Sequence, residues 1–137
     1  MTAFVDTSAF YAAADRGDSS LERSKALLSG QDALVTSDHV LVETWMLLRH
    51  RLGRRAAEQF WCGLRTGVAV VEVVQRGDLE AAWSMGEAFP DRGFSIVDRT
   101  SFAVMQRLGV LRAVAFDDDF AIFRLGPRRD RAFDVIR

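Results

Sequence analysis

The sequence predicts an α/β fold, a three-layer α/β/α sandwich around a central, mainly parallel sheet. Three observations predict it. Strand-like runs alternate with helical stretches along all 137 residues, the order expected when helices are the crossovers of a parallel sheet. Most of those runs are short and apolar on both faces, as strands covered from both sides are. A hydrophobic content of 49% at this length supplies one substantial core. No internal repeat, low-complexity segment or long linker divides the chain, so a single domain over 1–137 is expected.

Ala3 to Asp6 reads as the first strand, with a helix from Thr7 or Ser8 to about Ala14. Asp15-Arg16-Gly17-Asp18 is a turn, and Ser19 or Ser20 is placed to cap a helix through Leu28 that stops at Gly30. Ala33 to Thr36 is a second strand. A long helix runs from about His39 to Leu52 and ends at Gly53, and another spans Arg54 to about Leu64. Val68 to Val74, rich in β-branched residues, reads as a third strand. Gly77-Asp78 opens a helix to about Ala88, and after the loop Pro90-Asp91-Arg92-Gly93, Ser95 caps a helix to Leu108. Ala113 to Phe116 is a fourth strand ending at Asp117. A short helix around Phe120 to Phe123 and a last strand, Ala132 to Ile136, complete the pattern.

Composition excludes several classes. No apolar stretch approaches the ~18–20 residues of a spanning helix, and no basic segment leads into an apolar one at the start, so a cytoplasmic location is expected. The single cysteine, Cys62, excludes an internal disulfide and a multi-cysteine zinc site; it is expected to pack as a small hydrophobe beside Phe60 and Trp61. A net charge of −1 is not that of a generic polycation. Yet the basic residues cluster, as Arg49, Arg51, Arg54 and Arg55 and again as Arg128, Arg129 and Arg131. Arginine's planar fork suits phosphate and carboxylate recognition, so the first cluster is a candidate phosphate-contacting rim; it also sits where cations complement a helix C-terminus. Trp45, Trp61 and Trp83 are read as core or interface residues.

The acids carry the chemistry. In open parallel sheets, ligands bind beyond the carboxyl ends of the strands. Asp6 follows the first strand and Asp117 the fourth, with Asp118 and Asp119 next. Glu43 shares a helix face with Val40 and Leu47, and Asp98 with Phe102 and Met105, so both stand inside apolar stripes. Each has another reading. Asp6 and Asp117 can be N-caps, Asp98 stands three residues after Ser95 at capping-box spacing, and Glu43 can border its stripe and reach solvent. Together they would crowd one end of a sheet, and crowded carboxylates repel unless a cation neutralises them. An all-oxygen set suits Mg²⁺ or Mn²⁺.

"FVDTSAF", "VLVETWMLL", "FSIVDRTSFAVM" and "AVAFDDDF" resemble, in order and spacing, the four acidic motifs of PIN-domain ribonucleases of the VapC toxin type. The resemblance covers nearly the whole chain. It implies a PIN-like fold and a Mg²⁺-dependent (or Mn²⁺-dependent) endoribonuclease toxin that cuts structured RNA such as tRNA or rRNA. Such toxins are usually homodimers held inactive by a VapB-type antitoxin. The catalytic and metal site then falls on Asp6, Glu43, Asp98 and Asp117, with Asp119 a further candidate and Thr7 or Ser8 supplying a hydroxyl behind the ligands. One departure stands out: the family often carries Thr or Ser two residues before its last acid, and here that residue is Ala115.

Rival readings are weaker on the residues. A haloacid-dehalogenase-type phosphatase needs a second Asp two residues after the first, where this chain has Ser8. A response-regulator receiver needs a late lysine, and the only lysine is Lys25. A two-histidine ribonuclease is disfavoured because His39 and His50, on one helix, would stand roughly 16 Å apart. The non-enzyme alternative is an α/β RNA- or protein-binding module with a vestigial acidic pocket, which Ala115 keeps open.

Overall fold

β1 (Thr2–Val5) is buried from Ala3 onward and pairs on both sides, with β2 (Ala33–Ser37) and β4 (Arg112–Val114). A strand paired on both edges and covered on both faces carries no polar side chain cheaply, which is why Ala3, Phe4 and Val5 sit there. The computed structural model describes residues 1–30 and 32–137. β3 (Val70–Glu72) extends the sheet beyond β2, and β5 (Asp134–Ile136) extends it beyond β4. The order is β3-β2-β1-β4-β5 and every pairing is parallel.

Helices flank this sheet: α1 (Thr7–Ala14), α2 (Leu21–Leu28), α3 (Asp38–Arg51), α4 (Arg54–Arg65), α5 (Arg76–Ala88), α6 (Ile96–Leu108) and α7 (Asp119–Ile122). The layered α/β arrangement read from the sequence is the one observed. The chain winds from β1 outward to β3, then crosses back to place β4 on the other side of β1. The winding therefore reverses between β1 and β4. In open α/β sheets a crevice forms at that reversal, outside the carboxyl ends of the strands. Asp6 and Asp117 stand one and three residues beyond those two ends.

Several local expectations shift. The third strand covers only Val70–Glu72 of the anticipated Val68 to Val74. It is an edge strand, and past Glu72 the backbone leaves the sheet, Val74 N donating to Asp38 Oδ1 at 2.9 Å. β4 stops at Val114 because Phe116 N is diverted to Ser8 Oγ at 2.9 Å. Ser20 occupies the N-cap position of α2 without a side-chain bond to the helix; its own N–H is held by Asp18 Oδ1 at 2.7 Å. Cys62 is exposed rather than packed, because α4 buries the face of Ala57 and Leu64. Trp83 and Trp61 also face outward, 69% and 44% exposed.

An aromatic cluster fixes the helices that bear on the site. Phe102 of α6 stacks on Phe123 at 4.3 Å between ring centroids and meets Phe120 edge-on at 5.0 Å, while Phe133 packs against all three. Ring pairs of this kind contribute ~0.5–1.5 kcal/mol each beyond their buried area. They clamp α6, which carries Asp98, to α7, which follows Asp117. Gly109 ends α6 at φ 69°, the left-handed conformation that favours glycine.

Candidate active site

Asp6 ends β1 and starts α1. Its Oδ2 accepts from Ser8 N at 3.2 Å and from Ser8 Oγ at 2.8 Å, so it is an N-cap. Asp98 completes a capping box: its Oδ2 accepts from Ser95 N at 3.0 Å while Ser95 Oγ accepts from Asp98 N at 3.0 Å. Asp117 Oδ1 accepts from Asp119 N at 3.2 Å at the entry to α7. Asp6 thus caps α1 and Asp98 sits in the capping box of α6, as the alternative readings foresaw, whereas Asp117 is not an N-cap: Asp118 holds that position in α7, and Asp117 takes the Asp119 N–H from one residue further out. These bonds use one oxygen of each. The other oxygens, Asp6 Oδ1, Asp98 Oδ1 and Asp117 Oδ2, take no backbone or hydroxyl donor among the described residues and face neighbouring carboxyl groups instead. Capping and ligation are therefore compatible roles for Asp6 and Asp98, because the cap bonds use one carboxylate oxygen of each.

The three carboxylates converge, offering one oxygen each within 4.8 Å of the others. Oxygens across an octahedral ion with bonds of ~2.0–2.1 Å lie roughly 4 Å apart, so three hard oxygen donors at this spacing fit Mg²⁺ or Mn²⁺. Asp6 is 2% exposed. Burial, then the charge of Asp117, pushes its pKa up from 3.8 to about 8, although the Ser8 bonds pull the other way. Burial raises Asp98 from 3.8 to about 7; the Ser95 N–H opposes this, and the charges of Asp119 and Asp117 add to it. Asp117 is raised as well, first by burial. All three shifts say that this site holds more negative charge than its surroundings stabilise.

Supporting hydroxyls fix the floor. Ser8 Oγ donates to Asp6 and accepts from Phe116 N, so one side chain links the ends of β1 and β4. Thr7 Oγ1 accepts from Thr44 Oγ1 of α3 at 3.2 Å, and both residues are buried. Thr36 Oγ1 donates to Val5 O at 2.8 Å, just before Asp6. At Ala115 the side chain is fully buried and its N–H donates to Ile136 O. No hydroxyl replaces the one absent at Ala115: Ser8 Oγ, at the start of α1, bonds Asp6 and Phe116 N, and Asp117 is held by the Asp119 N–H alone among the described residues.

A cleft of about 650 Å³ opens over the carboxylates, and Glu43, Leu47 and Arg51 of α3 line one wall. Glu43 lies on this wall but outside the close trio. Asp119 stands against Asp98 and Asp117, whose pKa values its charge raises, and is likewise outside the trio. Of the four clustered arginines only Arg51 lines the cleft; Arg54 pairs with Glu58 at 3.0 Å, and Arg49 and Arg55 are exposed. His39 and His50 stay apart, His39 meeting Thr100 Oγ1 at 3.2 Å and His50 lying exposed. Sequence reasoning missed the opposite wall, Tyr11 with Asp18, Ser19 and Ser20. Tyr11, the one tyrosine, sits three residues after Ser8 on the same face of α1, the spacing by which it is recognisable. Its hydroxyl donates to Asp15 Oδ2 at 2.8 Å, and the Arg51 guanidinium lies 5.4 Å above its ring.

Comparison with known proteins supplies the family. Residues 3–124 match the PIN domain model. The chain belongs to the PIN-domain family. Curated relatives include the 23S rRNA-specific endonuclease VapC20 of two Mycobacterium tuberculosis strains, H37Rv and CDC 1551, each 42% identical over 119 residues, covering 86% of this chain and 91% of the relative. The crystal structure of M. tuberculosis VapC20, described as a sarcin–ricin loop cleaving toxin, superposes with a TM-score of 0.80 at 40% identity over 88% of this chain and 93% of that one. The VapC resemblance and the nuclease class expected from the four acidic motifs are borne out, and the vestigial-pocket alternative is not supported. This PIN domain keeps the acids of all four motifs around one cleft, three in close contact and Glu43 on its wall.

Proposed function

We propose that this chain is a divalent-metal-dependent endoribonuclease toxin that hydrolyses a phosphodiester bond in structured ribosomal RNA. The sarcin–ricin loop of 23S rRNA, the target in the name of its relative, is the first candidate substrate. The observation that carries this reading is the Asp6–Asp98–Asp117 trio at the point where the sheet reverses its winding.

Asp6, Asp98 and Asp117 would hold Mg²⁺ or Mn²⁺ through the oxygens that their bonds to backbone N–H groups leave free. When bound, the ion supplies an activated water and offsets charge on the phosphoryl oxygens. The chain's own residues do the rest. Ser8 and Ser95 hold Asp6 and Asp98 in orientation. Glu43 faces the cleft where it can receive a proton, reach the ion through a water, or take part in a second metal site with Asp119. Arg51, steadied over Tyr11, meets an RNA phosphate at the cleft wall.

The region acts as a single domain. A homodimer is supported by an exposed apolar face on α3, where Val42 and Met46 are 53% and 62% exposed, adjoined by Val97 of α6. A VapB-type antitoxin and a cytoplasmic location complete the proposal; no helix is long and apolar enough to cross a membrane among the described residues. The test is cleavage of a synthetic sarcin–ricin hairpin with Mg²⁺ or Mn²⁺, with and without EDTA. Cleavage that persists in EDTA overturns the metal mechanism, and an intact hairpin beside a cut tRNA or second rRNA segment overturns the choice of substrate.

A further inference from the structure

Helices α5 and α6 border a second cavity, of about 330 Å³, which the reaction described above does not use. The two helices run antiparallel. Arg107 near the end of α6 pairs with Asp78 at the start of α5 at 3.0 Å, and Arg99 near the start of α6 donates to Ala82 O further along α5 at 3.1 Å. The end of α5 therefore lies beside the turn that carries Asp98. Arg99 follows Asp98, ~100° around the helix at 3.6 residues per turn. The cavity opens at the same end of α6 as the carboxylates, around its side.

Three features there are costly unless something binds. Arg99 is half-buried, and its Nε is shut from solvent without an acceptor. Among the described residues no carboxylate lies within ion-pair distance of Arg99 or of the exposed Arg92, and a cation partly withdrawn from water without a counter-charge, as Arg99 is, is destabilising. Gly86 sits inside α5, where alanine would favour the helix by ~1 kcal/mol; a β-carbon there would fall on Arg99 Nη1, so the glycine makes room for the guanidinium. Trp83 stands on the cavity wall, 69% exposed. Glu87, the one acid on that wall, is exposed.

Two arginines beside a free indole suit a phosphate joined to a flat aromatic ring. Guanidinium groups take phosphate oxygens, and an indole face stacks a base whatever its identity. Phe89 does not compete for that role, since Arg129 already covers its ring at 4.8 Å. The volume lies at the lower end of ligand pockets, right for one nucleotide rather than a duplex. We infer that the cavity between α5 and α6 is a nucleotide subsite, holding one splayed-out residue of the substrate RNA with its phosphate on Arg92 and Arg99 and its base on Trp83. This rests on the ribonuclease reading and adds a contact that fixes which looped RNA fits, because proteins read RNA loops through unstacked bases.

The test uses the full chain and 5′-AMP as probe, read by the tryptophan indole N–H signals in NMR, with that of Trp83 identified by its loss in Trp83→Phe. At millimolar nucleotide the Trp83 signal shifts and that of Trp61 does not, while inorganic phosphate alone moves Trp83 far less. Gly86→Ala, which displaces the guanidinium without removing its charge, weakens this binding about tenfold and melts no lower than the unchanged chain. On a hairpin that the chain cleaves, Gly86→Ala and Trp83→Ala raise KM about tenfold, the loss falling on KM rather than kcat. No shift at Trp83, an equal shift at Trp61, or binding indifferent to Gly86→Ala overturns the subsite, whether or not RNA is cut. Failure of the unchanged chain to cut any RNA overturns the ribonuclease reading instead.

Discussion

Ser8 donates its hydroxyl to Asp6 Oδ2 at 2.8 Å while accepting the N–H of Phe116 at 2.9 Å. One side chain thereby orients a carboxylate of the proposed metal site and closes the end of the strand that leads to Asp117. Ser8→Ala is expected to weaken Mn²⁺ binding about 10- to 100-fold, the usual cost of losing a partner behind a ligand. It should also cost about 1–3 kcal/mol of stability from the stranded Phe116 N–H. Calorimetric Mn²⁺ titration and thermal melts measure the two, and Ser8→Thr, which keeps the hydroxyl, should recover most of the affinity. Equal metal affinity in Ser8→Ala would show that Asp6 needs no such support.

Asp6 is destabilising in the metal-free protein at neutral pH. Its folded pKa, about 8, lies above the ordinary 3.8. The folded state therefore binds this proton more tightly than the unfolded state does. That stabilisation is fully present below about pH 4 and is lost as pH rises through about 8. In EDTA, Asp6→Asn should melt higher than the unchanged chain at pH 8, by about 2 kcal/mol or more, and the difference should shrink towards pH 4. Saturating Mg²⁺ should reverse the order, because only the carboxylate holds the ion. The same variant is expected to lose cleavage.

Metal binding should release protons between pH 6 and 8, since Asp98 titrates near 7 and Asp6 near 8 without the ion. Apparent Mn²⁺ affinity should climb steeply across this range and level off above it. A pH-independent affinity would mean that these acids are already ionised when the ion arrives.

Asp98 separates its two roles by chemistry. Asp98→Asn keeps an oxygen that can accept from Ser95 N, so the helix start should hold while cleavage is lost. Asp98→Ala removes both and should cost a further ~1 kcal/mol of stability from the broken capping box. Denaturant melts beside hairpin cleavage distinguish them; an active Asp98→Asn would remove Asp98 from the ligand set.

Arg51 should contribute one phosphate contact. In a non-cleaving Asp6→Asn background, Arg51→Ala is expected to lower the slope of log affinity against log salt by about 0.7–0.9. Arg54→Ala should change it less, because Arg54 is paired with Glu58 outside the cleft.

Much of this molecule is legible from periodicity and end signals. The helix of Ser95 to Leu108 can be read from one capping box and an apolar face, and the strands that carry Asp6 and Asp117 from their apolar runs. Boundaries blurred where partners outside the strand took the backbone, as Asp38 does with Val74 and Ser8 with Phe116. The four acids could be listed in order, but their ranking could not. Which three come within 4.8 Å of one another depends on how far α3 stands from α6. Cys62 is exposed against expectation, because local composition does not say which face of α4 meets the body; of the core-or-interface reading of the tryptophans, exposure takes Trp61 and Trp83 out of the core.

Fold class, element order and the acidic residue types are readable from local pattern, because they follow from periodicity, capping chemistry and the cost of burying charge. Tertiary structure brought Asp6, Asp98 and Asp117 together with Glu43 on the cleft wall, set Ser8 between Asp6 and the Phe116 N–H, and placed Arg99, without an ion pair among the described residues, in one cavity with Trp83. Those are distances between residues far apart in the chain, set by sheet order and helix packing, which no local spacing encodes.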